Sequence, residues 1–109
     1  MAPPIVPNYS TTTFFALRPI LDRERLNGNN FIEWFRNLRI VLTHDKKMYV
    51  LETPIPESPA ATATRAVKDA WSKHVDDSSS VSNLMLATME PNLQYDLEYL
   101  KAYEMIKEL

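Results

Sequence analysis

Two histidines stand beside carboxylates. His44 precedes Asp45, and His74 is followed shortly by Asp76 and Asp77. A carboxylate that accepts from one imidazole nitrogen can orient the other as a general base, so proton-transfer chemistry would be sought at these two places. Each set is expected at a helix end, however, where acids and histidines serve capping and the helix dipole. No Gly-rich nucleophile turn accompanies either set. A zinc site needs about three protein ligands at suitable spacing, and two distant histidines with scattered acids do not supply one. The chain has no cysteine, which excludes disulfides, thiolate metal sites and a Cys nucleophile. Gly28 is the only glycine, which excludes a P-loop or a dinucleotide fingerprint. Asp76-Asp77-Ser78 likewise lacks the glycine of an aspartic-protease loop. The expectation is no catalytic residue, no metal and no cofactor.

Arg18, Arg23, Arg25, Arg36 and Arg39 are the residues that could hold phosphate. No further basic cluster or interleaved stacking platform supports such a grip, and a formal net charge of -2 argues against a dedicated nucleic-acid binder. The distribution of charge is uneven. Residues 1–50 carry seven Lys/Arg and four Asp/Glu, whereas residues 51–109 carry five and ten. A basic half and an acidic half can attract copies of the chain head to tail. The same split is also compatible with an ordinary solvated surface.

The elements that must position these residues are helical. At 109 residues and 45% hydrophobic, the chain has the size and apolar content of one small domain. Met1-Ala2-Pro3-Pro4 does not begin a signal peptide, and no apolar run reaches the roughly 20 residues of a membrane span. A cytoplasmic protein is expected. Pro3, Pro4, Pro7 and Pro19 punctuate an extended tail over residues 1–19, in which Ser10–Leu17 could form a short strand. Its Phe14-Phe15 pair should dock on the body or on a partner.

Asn27-Gly28-Asn29 is a turn signal. Asn30 can then cap a helix, with Glu33 reaching back as in a capping box. Phe31, Phe35, Leu38 and Leu42, widened by Trp34 and Val41, form one apolar stripe, which predicts an amphipathic helix over residues 31–44. Met48–Leu51 reads as a helical turn or a brief extended stretch. Pro54, Pro56 and Pro59 stiffen a connector. Ser58-Pro59 starts a further helix, with Trp71 as its largest anchor and small alanines to admit a neighbouring helix. Asp76-Asp77-Ser78-Ser79-Ser80 is expected to break the chain. Val81, Leu84, Met85 and Thr88 mark the next apolar face. Asn92 caps a helix carrying Leu93, Leu97 and Leu100, and Ala102–Leu109 begins a last helix that stops in mid-pattern, as in a piece of a longer protein. The expected fold is therefore all-α, a bundle of about five helices over residues 20–109 behind the tail. Its core is expected to hold Phe31, Trp34, Phe35, Leu38, Trp71, Leu84, Met85 and Leu97.

Several landmarks in order resemble one family. Leu26-Asn27-Gly28-Asn29-Asn30-Phe31, Trp34, and Asn37 to Leu42 look like the start of the Gag polyprotein of plant copia-type LTR retrotransposons. Tyr49-Val50-Leu51-Glu52 with Pro54-Ile55-Pro56, then Ala70-Trp71, Asp76-Asp77 and Leu84–Gln94, resemble its following blocks, and Ala102–Leu109 resembles its next helix. Ile106 stands where the family carries a tryptophan, and Lys101 where a threonine cap is usual. The resemblance implies the N-terminal lobe of a capsid region similar to retroviral capsid. It also implies a structural, non-enzymatic role in self-assembly into virus-like particles. The partners would be other copies of the chain, with RNA held through regions lying outside this sequence, and neither a membrane nor a small-molecule substrate. Candidate self-association residues are Phe14, Phe15, Met105, Ile106 and Leu109. The alternatives are a domesticated capsid-like domain that binds a peptide in an apolar groove, and an RNA-binding domain using the five arginines.

Overall fold

The computed structural model describes residues 15–109. Among them the fold is all-α, with six helices: α1 (Pro19–Arg23), α2 (Phe31–His44), α3 (Tyr49–Glu52), α4 (Arg65–Ala87), α5 (Pro91–Leu97) and α6 (Ala102–Glu108). Helix α4 is the spine. Helices α3, α5 and α6 pack on it, α3 also packs on α6, and α1 packs on α2.

The apolar stripe of α2 places Trp34, Leu38, Val41 and Leu42 in the core, with Phe31 and Phe35 half-buried against it. Leu84, Met85 and Leu97 are buried there as well. The turn before α2 uses Gly28 at φ +91, a left-handed conformation that L side chains rarely adopt. Asn30 does occupy the N-cap, but its side chain caps nothing. Its Oδ1 instead accepts from Asn27 N–H at 3.0 Å, and its Nδ2 donates to the Arg25 carbonyl at 2.9 Å. The amide thus closes the preceding turn, and Asn27 Oδ1 accepts from Asn29 N–H within it.

At the start of the described residues, Pro19 occupies the first turn of α1, where its missing N–H costs nothing, and Leu21 is wholly buried. Phe15 belongs to a turn and not to a strand. It sits at φ 54, its N–H donates to Asp45 Oδ2 at 2.9 Å, and Arg18 N–H closes on its carbonyl. Ala16 and Leu17 belong to the same turn, and residues 10–14 of the expected strand, Phe14 among them, lie outside the described residues.

The largest correction concerns α4, which spans 23 residues without a break at Asp76–Ser80. These residues favour caps and turns because their side chains compete for backbone groups. Tertiary contacts override that preference. Asp77 and Ser78 are buried, Asp77 is bonded from outside the helix, and Ser82 Oγ donates back to the Ser78 carbonyl at 2.6 Å. The N-cap is Thr64, whose Oγ1 accepts from Val67 N–H, and not Ser58, because a turn at Ala60–Ala63 separates Pro59 from the helix. Glu90 occupies the N-cap position of α5 without a side-chain cap bond, and Pro91 lies in the first turn, so Asn92 is already inside the helix. Exposed Ser80 provides a test of sign. Ser80→Ala should stabilise the chain by about 0.5 kcal/mol in urea unfolding, since alanine is the better interior helix residue. A cap at this position would give a loss of similar or larger size.

Candidate functional site

Two junctions and one groove bring the chain's distinctive residues together. The first junction ties the turn before α2 to the end of α4. Leu26 forms an isolated parallel bridge with Met89: its N–H donates to the Thr88 carbonyl at 2.9 Å, and its carbonyl accepts from Glu90 N–H at 2.9 Å. Trp34 Nε1 donates to Thr88 Oγ1 at 3.3 Å, while the Thr88 hydroxyl lies 3.0 Å from the Leu84 carbonyl. Arg25 Nη2 donates to the Met89 carbonyl at 2.6 Å, and Gln94 Nε2 donates to the Leu86 carbonyl at 2.7 Å. A tight turn, a buried indole and a helix end are thus joined across 54 to 64 residues of chain, with the polar atoms near the core paired.

The second junction is a polar node between α3 and α4. Asp77 is its centre. Tyr49 OH donates to Asp77 Oδ2 at 2.5 Å, Lys73 Nζ to the same oxygen at 2.6 Å, and Lys47 Nζ lies 3.7 Å from Oδ1. The His74 ring meets the Tyr49 ring edge-on at 4.9 Å. Burial works to raise the Asp77 pKa, but the hydrogen bonds from Lys73 and Tyr49 and the charges of Lys47 and Lys73 outweigh it, and the carboxyl is held below its ordinary range. Burial, followed by the bond to Asp77, pushes the Tyr49 phenol up. The bond to Asp77 also raises Lys73, against a smaller opposing effect of burial. A general acid or base works best with a pKa near the operating pH. Here all three shifts run away from neutrality, so each group keeps its usual charge state. This geometry clamps α3 to α4 by charge-assisted hydrogen bonds. The Asp76–Asp77–His74 set therefore lies in mid-helix and not at a helix end, and Asp77 turns to Tyr49 and Lys73. His44 ends α2 and is exposed.

The groove lies outside the core. Residues 65–70, the first turns of α4, are exposed, Ala66 and Ala70 among them. The proline connector lies over Trp71 in place of a helix. Trp71 is half-buried and outside the hydrophobic core, and its Nε1 donates to the Pro56 carbonyl at 2.9 Å. Pro56, Pro59, Val67, Ala70, Trp71 and His74 line most of a mainly apolar groove of about 360 Å³, and His74 Nε2 is buried without a hydrogen-bond partner. Trp71→Phe would remove the donor and keep the ring. We expect a loss of about 1 kcal/mol in thermal unfolding, together with faster proteolysis within residues 53–64. An unchanged proteolysis rate would show that the bond does not hold the connector.

The expected self-association residues separate. Met105 is wholly buried where α6 meets α3 and α4, so it is core and not surface. Ile106 and Leu109 are half-buried against the same core. The arginines separate too. Arg18 pairs with Asp22 at 3.3 Å, Arg25 holds Met89, and Arg36 and Arg39 lie on the outer face of α2. Among the described residues, no group of three His, Cys, Asp or Glu could hold a metal ion, and no helix is long and apolar enough to cross a membrane. Sequence reasoning did not find the Tyr49–Asp77–Lys73 node. The i, i+4 spacing of Lys73 and Asp77 was its one local signal. Comparison of the chain with protein-family models, with curated proteins and with solved structures returns no match.

Proposed function

We propose that this chain is a structural, non-enzymatic assembly module, the N-terminal lobe of a copia-type Gag capsid region. Its copies associate into a particle around the element's RNA, and the RNA is engaged elsewhere in such a protein. One observation carries this reading. The sequence blocks that resemble the family meet in pairs in the fold. The Leu26–Phe31 block bonds to the Leu84–Gln94 block through Leu26, Thr88 and Glu90, and the Tyr49 block bonds to the Asp76-Asp77 block through Tyr49 and Asp77. Residues that share a fold-defining contact are the ones a family resemblance would be expected to retain. Ring-forming association of this kind uses heterologous surfaces. Electron microscopy of the purified chain at high concentration tests the proposal. Regular rings, sheets or closed particles are expected, and uniform monomers would contradict it.

A second reading is favoured by the groove at Trp71, whose apolar lining suits an extended, proline-containing peptide. Trp71 fluorescence titrated with such peptides distinguishes the two. Saturable quenching without particle formation would select the binding module.

A further inference from the structure

Five large hydrophobic side chains are exposed among the described residues, and four of them fall into two patches of opposite charge. On α2, Ile32 and Ile40 are 69% and 45% exposed. They share the outer face of the helix with Arg36, Arg39 and Thr43, opposite the Trp34–Leu38–Leu42 stripe. Tyr95, in the last turn of α5, and Tyr99, in the turn that follows the helix, are 72% and 83% exposed. Exposed Asp96 and Glu98 flank them, and residues 90–100 contain three acids and no base. Among the described residues, no ion pair engages Arg36, Arg39, Asp96 or Glu98. The Arg39 guanidinium already lies 6.0 Å from the centre of the Phe35 ring, which keeps it near the helix surface.

We propose that the α2 face of one copy binds the α5 face of a second copy. The inference rests on the assembly reading and names its partner surface. The two faces are complementary in each respect that recognition requires. Each presents an exposed pair of large side chains, the isoleucines eight residues apart along α2 and the tyrosines four residues apart at the end of α5. One carries guanidinium groups, which pair bidentately with carboxylates and stack on tyrosine rings. The other carries the carboxylates and the rings. The contact joins two different patches, so it is head-to-tail and propagates into rings or arrays instead of stopping at a dimer. It also gives the uneven charge of the two halves of the chain a use, since opposed patches steer encounter and fix register. Glu33 lies beside the α2 face and would sit at the rim of the contact.

Paired charge reversals in the full chain test this, with sedimentation velocity from micromolar to millimolar concentration and circular dichroism to verify folding. The substitutions are on exposed residues, so the fold should persist. The unaltered chain should associate. R36E/R39E and D96K/E98K, each alone, should weaken association at least tenfold. An equimolar mixture of the two variants should recover it, because each then offers the other a complementary face. The quadruple variant should recover it in a single chain. Added salt should weaken the unaltered contact. If the unaltered chain associates and the reversals leave it unchanged, the contact lies elsewhere and the assembly reading survives. If both reversals weaken association and neither mixture nor quadruple variant recovers it, the head-to-tail pairing is overturned. If the unaltered chain stays monomeric throughout, the assembly reading fails and this contact fails with it.

Discussion

Trp34→Ala is expected to remove a large part of the folding stability of the chain at 25 °C. The indole is 1% exposed on α2, and its Nε1 donates to Thr88 Oγ1 at the end of α4. Removing a buried aromatic takes away its transfer energy and leaves a cavity, at a cost of about 3–5 kcal/mol. Small domains hold only about 5–15 kcal/mol in total, and this one has a small core. The loss also falls where two distant parts of the chain are joined, since Leu26 bridges Met89 beside it. Trp34→Phe should cost less, because most of the apolar area remains and only the indole donor and part of the ring are lost. Urea unfolding followed by circular dichroism reads both variants. A cost under about 1 kcal/mol for the alanine variant would remove the indole from the core.

Asp77→Asn is the second large effect, and its pH dependence identifies it. At pH 7 the variant should lose about 1.5–3 kcal/mol, the range for hydrogen bonds to a charged group. The amide keeps a hydrogen-bond acceptor for Tyr49 but gives Lys73 and Lys47 no negative charge. The Asp77 carboxyl is held below its ordinary value of 3.8, so near that pH the folded chain binds fewer protons than the unfolded one. The stability it contributes is fully present above the ordinary value and is lost as the pH falls through the folded value. The gap between the unaltered chain and the variant should therefore be constant from pH 7 to about 5 and should close in acid. The alkaline limb has the opposite sense. Tyr49 and Lys73 are both raised above their ordinary values of 10.0 and 10.5. Their contributions are present below those values and are lost as the pH rises through the folded ones. A gap that persists unchanged into strong acid would mean that the substitution acts through packing and not through charge.

Helix α2 was legible in the sequence to its last residue because one glycine turn opens it and one unbroken stripe runs along it. Local pattern suffices where the same residues carry both the turn chemistry and the burial. It fails in α4, where Asp77 is satisfied by Tyr49, 28 residues away, and a local preference for a break is overruled by a distant partner. Met105 shows a different limit. Periodicity identifies an apolar face on α6 but not what covers it, and α3 and α4 cover it. Trp71 shows the converse, a large aromatic on a helical face that a proline connector covers in place of another helix. The exposed pairs Ile32–Ile40 and Tyr95–Tyr99 were legible only as departures from the stripes, and departures acquire meaning once the opposite face is seen to be buried. The junctions at Thr88 and Asp77 join residues far apart in sequence, and no spacing rule brings them together.

Copies of this chain, on the proposal made above, bind one another. Solution mass as a function of concentration is the measurement to make, by light scattering on a sizing column and extended to millimolar protein, since contacts repeated across an assembly can be individually weak. The expected result is a mass that rises steadily above the 12.6 kDa of one chain and falls back on dilution. A folded chain that remains at the monomer mass across the whole range would contradict it, and the groove at Trp71 would become the surface that calls for explanation.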